Sequence, residues 1–151
     1  MILVSACLAG ICCKYNGGNN GIPLIKELVK QGKAILLCPE QLGGLPTPRL
    51  PAEIKGGSAR DVLQGKASVV REDGADVTEN FIRGAREVLK FCQEMGIRRA
   101  ILKSKSPSCG KGLVYDGTFT GKLVEGNGVT AQLLIDDGIE VMTEEEFKKI
   151  C

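Results

Sequence analysis

Short apolar segments that alternate with longer amphipathic ones restrict the folds open to this chain more than any other feature of its sequence. Residues 2–6 ("ILVSA"), 34–37 ("AILL"), 99–102 ("RAIL") and 140–142 ("EVM") are too short for helices and lack a polar face at every second position, the pattern of strands buried on both sides. Helix patterns lie between them. Residues 23–31 ("PLIKELVKQ") open on Pro and stop at Gly32. Val77, Phe81, Ala85, Val88, Leu89, Cys92 and Met95 recur at helical spacing before Gly96, with Asp76 or Thr78 placed to cap the start. A further helix is expected over residues 130–136, and Thr143 with Glu146 forms a capping box for a last one. Buried strands joined through helices make a parallel sheet covered on both faces. The expectation is an α/β fold, a small doubly wound (Rossmann-like) three-layer sandwich of about four parallel strands, in one domain over residues 1–151. Right-handed crossovers put every strand C-terminus on one edge of such a sheet, and ligands bind at that edge where the winding reverses.

Two regions fit this alternation less well. Residues 39–57 hold four of the six prolines and four glycines, which predicts an ordered irregular loop with a single turn at residues 51–54. Residues 67–71 read as a short edge strand or hairpin arm.

Composition excludes several function classes. A formal charge of +2, with Lys and Arg scattered, gives no strong nucleic-acid surface, and the absence of Trp beside two Tyr and four Phe gives no stacking platform for a single strand. No apolar run approaches the roughly 18 residues of a membrane span and no signal-peptide pattern opens the chain, so a cytoplasmic protein is expected. Seven cysteines are many for such a chain, and an odd number suits metal or thiol chemistry better than a closed disulfide framework. With no histidine at all, acid-base work falls to Asp, Glu, Lys, Tyr or Cys.

Cys7 follows the first predicted strand, Cys38 the second, and Cys109 lies in the loop after the third, so a parallel sheet gathers three thiols distant in sequence. Each sits in a glycine-bearing context, "CLAG", "CPEQLGG" and "CGKG". Two metal outcomes fit: zinc closed by Cys12 or Cys13 as a fourth ligand, or a four-iron cluster on three thiolates with one iron open. Glu40 stands two positions after Cys38, and Ser106 and Ser108 flank Pro107 before Cys109, so a carboxylate able to take a proton and a hydroxyl able to relay one border the same place.

The stretches "SACLAGICCKYNGG", "CPEQLGGLPTPRLPAEI" and "KSKSPSCGKG", with "YDGTFTG" and "GNGVTA" nearer the C-terminus, resemble domain-of-unknown-function family 523, whose characterised members are thiouracil desulfidases. The resemblance spans essentially the whole chain. It implies a four-iron, four-sulfur (4Fe-4S) cluster ligated by Cys7, Cys38 and Cys109, with the fourth iron free to take sulfur from the thiocarbonyl of a thiolated pyrimidine base, nucleoside or nucleotide in a hydrolytic, non-redox desulfuration. It also implies an acid-base role for Glu40 and a substrate or proton-relay role for Ser106. Many relatives carry another residue where this chain has Cys12 or Cys13, so neither inherits a ligand role. A non-catalytic zinc or cluster module closed by a fourth cysteine is the alternative reading.

Arg49 and Lys103 border the predicted site, where they either steer a carbonyl-rich substrate or form ordinary salt bridges; Tyr15 is placed to stack on a pyrimidine. Cys92 falls on the apolar stripe of the long helix and reads as core, and Cys151 as a frayed surface thiol.

Overall fold

The computed structural model of the chain describes residues 1–150; Cys151 lies outside the described residues. Its centre is a parallel sheet of β1 (Ile2–Ser5), β2 (Ala34–Leu37), β5 (Arg99–Leu102) and β8 (Glu140–Thr143), ordered β2-β1-β5-β8. Successive side chains leave a strand on opposite faces. Leu3, Ala100, Leu102 and Val141 accordingly pack under α4 (Thr78–Met95) and α5 (Val129–Asp136), whereas Val4 and Ile101 pack with Ile25 of α1 (Pro23–Lys30) and Phe147 of α6 (Glu144–Ile150). This is the expected three-layer α/β sandwich. Cys92 is fully buried among Val88, Ile97 and Leu134, a core thiol as its helical spacing implies.

The strand order decides where a ligand can sit. The chain leaves β1 for the edge strand β2, then returns past β1 to β5, so the winding reverses between β1 and β5. Loops leaving these two neighbours diverge and open a crevice beyond their C-terminal ends.

Two small antiparallel pairs complete the molecule: β3 (Ala52–Lys55) with β4 (Ser68–Arg71), and β6 (Leu113–Tyr115) with β7 (Leu123–Glu125). The arm expected over residues 67–71 is β4. The single turn expected at residues 51–54 is instead strand β3, because its backbone is claimed by pairing with β4, a non-local partner that local Pro and Glu content does not announce. The proline-rich loop also contains a helical turn, α2 (Pro39–Leu42), and is followed by α3 (Ala59–Leu63), whose Ser58 and Asp61 form a capping box. A third core, built around Ile54, Val62, Val69 and Phe81, fastens this region to the long helix.

The capping box expected for the last helix forms, whereas neither Asp76 nor Thr78 is the capping residue of α4. Thr143 and Glu146 exchange the reciprocal bonds of a capping box, Glu146 N–H to Thr143 Oγ1 and Thr143 N–H to Glu146 Oε1, each at 3.1 Å. At α4 the residue before the helix is Val77; Asp76 accepts from the Thr78 amide at 2.8 Å, while the Thr78 hydroxyl accepts from Val69 N–H.

Candidate active site

A cavity of about 480 Å³ opens at the reversal point, within the roughly 300–1,000 Å³ usual for small-molecule sites. Cys7, Cys38 and Cys109 all line it, together with Glu40, Ser106 and a fourth thiol, Cys13.

Each thiol is delivered by a different local device. Cys7 sits in a single 3-10 turn, Ala6–Ala9, that continues β1 and ends on Gly10 at φ +97°, a value glycine adopts without strain. Cys38 occupies the position before α2, where Pro39 needs no amide partner. α2 then lies hard against α4, since a Cβ on Gly84 would collide with the Pro39 carbonyl. Cys109 belongs to a loop whose carbonyls stand in for the missing cap of α5: Pro107 O accepts from Val129 N–H, and Ser108 O from Thr130 and Ala131 N–H. The Ser106 hydroxyl accepts from the amides of Ser108 and Cys109, both at 3.0 Å, leaving its own proton to donate.

Cys12 and Cys13, adjacent in sequence, separate completely. Cys12 is exposed and receives only Asn19 Nδ2 at 3.4 Å, whereas Cys13 is buried, lines the cavity with Cys7 and Cys38, and accepts at its carbonyl from the Cys38 thiol at 3.9 Å. All the described cysteines are free thiols. Burial pushes the Cys109 thiol up to about 12, although the Ser5 hydroxyl, donating to its sulfur at 3.2 Å, favours the thiolate. Cys38 is pushed well above the usual thiol range by its bond with Cys13 and by burial. For Cys13 the Cys38 contact pulls downward, but Cys7 and burial together raise it to about 11. The nearby groups that favour the thiolates, Arg49 for Cys13 and the Ser5 hydroxyl for Cys109, are outweighed by burial and by the neighbouring thiols. A bound metal cation would supply the charge that ionises these sulfurs, because a coordinated thiol is deprotonated outright.

Among the described residues no three His, Cys, Asp or Glu side chains close on a single metal ion. The thiols line one cavity, and a set of thiol donors with no histidine fits an iron–sulfur centre, whose ligands attach to separate iron atoms.

Glu40, on α2, is largely buried, and burial raises its carboxyl above the usual range against the opposing pull of Arg49. The Arg49 guanidinium is itself only 6% exposed. Its Nε donates to Glu40 Oε1 at 3.0 Å, one terminal nitrogen to Pro46 O and Thr47 Oγ1, and the other to Cys13 O at 2.9 Å. Arg49 thus ties the carboxylate, its own loop and the Cys13 segment into one unit, and removing one partner of so dry a pair typically costs about 3–5 kcal/mol. Lys103 lines the cavity with Nζ donating to Ser104 O at 3.0 Å and to buried Glu144 at 3.4 Å, and Tyr15 lies at the rim, 44% exposed.

The sequence model of the 2-thiouracil desulfurase family matches residues 2–146. This chain belongs to the 2-thiouracil desulfurase family. A family relative from Bacillus subtilis (strain 168), the uncharacterized protein YbbK, is 50% identical over 150 residues, 99% of each chain. A solved structure with the same fold, the 4Fe-4S-dependent thiouracil desulfidase TudS, superposes with a TM-score of 0.87 at 44% identity, over 98% of this chain and 93% of that one.

Several residues that line this cavity, or hold residues that do, carry no sequence signal of their own. Ser5 reads as one more residue of an apolar strand, yet it donates to Cys109 and accepts from Lys103 N–H at 3.0 Å, joining β1 to β5 at the reversal point. Glu144 reads as a helix-surface acid; it is 5% exposed and accepts from both the amide and hydroxyl of Ser104. Phe119 and Tyr115 reach the cavity from the β6–β7 hairpin. The "YDGTFTG" stretch was legible as a resemblance, but a distant hairpin's place at the sheet edge is a tertiary fact.

Proposed function

We propose that this protein is a thiouracil desulfidase that replaces the thiocarbonyl sulfur of a thiolated pyrimidine with oxygen, without net oxidation or reduction, in a site where Cys7, Cys38 and Cys109 hold a 4Fe-4S cluster. The observation that carries this reading is the convergence of those three thiols and Glu40 on one cavity at the switch point of the sheet. When bound, such a cluster supplies a Lewis-acidic iron with affinity for soft sulfur, because three thiolates leave one iron without a protein ligand.

The chain's own groups then account for the protons. Water attacks the ring carbon, the new carbon–oxygen double bond replaces carbon–sulfur, and the sulfur leaves at the sulfide level with the protons that water brought. Glu40 takes the first of these protons; its burial raises basicity and the Arg49 bond fixes its direction. Ser106, whose oxygen already accepts two amide hydrogens, donates a hydrogen bond into the cavity to a substrate heteroatom or the leaving sulfur and keeps its proton at the end of the reaction. Lys103 and Tyr15 are placed to contact the pyrimidine, and Arg49 acts through Glu40. A cytoplasmic location suits an array of free thiols; no helix of the described residues is long and apolar enough to cross a membrane.

Anaerobic reconstitution with iron and sulfide tests the proposal. The wild type is expected to hold about four irons and to convert thiouracil to uracil with no electron donor. Cys109→Ser should lose the iron, whereas Glu40→Gln should keep it and lose turnover by about 100-fold or more. One zinc per chain in place of iron, or full activity in Glu40→Gln, would overturn the assignment.

A further inference from the structure

Among the described residues only two non-glycine residues have a left-handed backbone, Lys105 at φ +67° and Phe119 at φ +59°, and both line the cavity. For a bulky aromatic this is a true outlier, kept only where the surroundings over-determine it. Core packing is not the cause. Phe119 belongs to none of the three hydrophobic cores and is only half-buried.

What holds it is a buried carboxylate. Glu53, on β3 and 8% exposed, accepts through a single oxygen, Oε1, from Gly117 N–H at 2.9 Å and from Phe119 N–H at 3.2 Å. Gly117 presses so closely on β3 that an added Cβ would stand 2.7 Å from the Ile54 carbonyl. Asp116 closes the tip on itself by accepting from Thr118 N–H and Oγ1. At its base the hairpin is joined to the other strained residue through the Lys105–Val114 bridge. Both ends of the hairpin are therefore pinned, and the result is a fixed backbone at Phe119, which of the three aromatic side chains lining the cavity, with Tyr15 and Tyr115, is the one without a polar group.

We infer that Phe119 recognises the substrate by stacking on the planar six-membered ring of the thiolated pyrimidine, and that Glu53 is the positioning residue that fixes it. An aromatic ring needs no hydrogen-bond complement and tolerates either face of a base, so it adds affinity and orientation while Glu40 and Ser106 act on the exocyclic group. The inference rests on the desulfidase reading. Because both amides bond to one oxygen, a glutamine at position 53 keeps the acceptor and discards the charge.

The test uses reconstituted holoprotein, with uracil as a non-reacting binding probe and thiouracil as substrate. Phe119→Gly relieves the backbone strain, so it should be at least as heat-stable as wild type and retain its iron. It should bind uracil about 5- to 150-fold more weakly, the range for loss of one base–aromatic stack, and lose kcat/KM chiefly through KM. Phe119→Tyr should stay within a few-fold of wild type. Glu53→Ala should reproduce the KM defect and Glu53→Gln should rescue it. Unchanged uracil affinity in Phe119→Gly, or a Glu53→Gln defect as deep as that of Glu53→Ala, would overturn the inference. Wild-type holoprotein that binds uracil but leaves thiouracil intact would overturn the desulfidase reading alone.

Discussion

The cavity is built from two regions of different construction. One is the C-terminal edge of the parallel sheet, where Cys7 and Cys38 follow β1 and β2 within two residues and Cys109 lies in the loop after β5, so that strand order brings the three together. The other is the pair of antiparallel hairpins, which bring Glu53, Tyr115 and Phe119 to the same space through contacts between segments some 60 residues apart. The difference lies in how position is encoded. At the sheet edge a residue's place follows from strand order; at the hairpins it depends on a buried carboxylate and a close backbone approach that no local pattern predicts.

The largest effects are expected at the sheet edge, and they sharpen the contrast inside a single loop. Cys7→Ser should abolish iron retention, while Cys12→Ser, altering a neighbour that faces solvent, should leave iron content and turnover near wild type. Iron and labile-sulfide analysis of both variants checks this; equal losses in the two would dissolve the distinction between them.

Next in size is a change that strikes the sheet edge through packing alone. Gly84→Ala inserts a methyl group against the Pro39 carbonyl, so α2, with Glu40, must shift. A loss of roughly 1–3 kcal/mol in denaturant unfolding is expected, with reduced turnover. Wild-type stability in this variant would show that α2 is free to move and that its fit against α4 does not place Glu40.

The smallest effect is expected from the acid that holds Lys103 and Ser104. Burial alone would raise the Glu144 carboxyl, but the hydroxyl and amide of Ser104, with the Lys103 ammonium, hold it below the usual 4.5. A depressed folded value means that the stabilisation is complete above the unfolded value and is lost as pH falls through the folded one. Glu144→Gln should therefore cost about 1–2 kcal/mol near neutrality, the difference between charged and neutral hydrogen bonds, and the gap from wild type should close below pH 4.5. Unfolding curves at neutral and acid pH measure it. A gap that persists in acid would assign Glu144 a packing role instead.

The elements divide in the same way as the cavity. β1, β2, β5, β8 and the four main helices were readable because each announces itself within its own window, by an unbroken apolar run or by a helical period with its stop signal. β3 was misread as a turn, and β6 and β7 carried no expectation, because three or four residues of an antiparallel pair depend on a partner the local sequence does not name. Among site residues, Cys7, Cys38 and Cys109 could be gathered from strand order alone, and Glu40 and Ser106 from their nearness to them. Ser5, Phe119 and the supporting acid Glu144 could not, and Cys13 could not be told from Cys12. Ser5 resembles core, Glu144 resembles helix surface, and Phe119 resembles loop.

By itself the sequence determined the parallel α/β sandwich, the sheet edge at which three cysteines gather, and an absence of histidine that leaves acid-base work to Asp, Glu, Lys, Tyr or Cys. Tertiary structure alone decided which of two adjacent cysteines enters the site, that Arg49 is occupied in holding Glu40, and that an aromatic ring is held in the cavity. The physical reason is one of range. Hydrophobic periodicity acts over a turn or a strand and is written locally, whereas burial and hydrogen-bond pairing between distant segments exist only once the chain has closed upon itself.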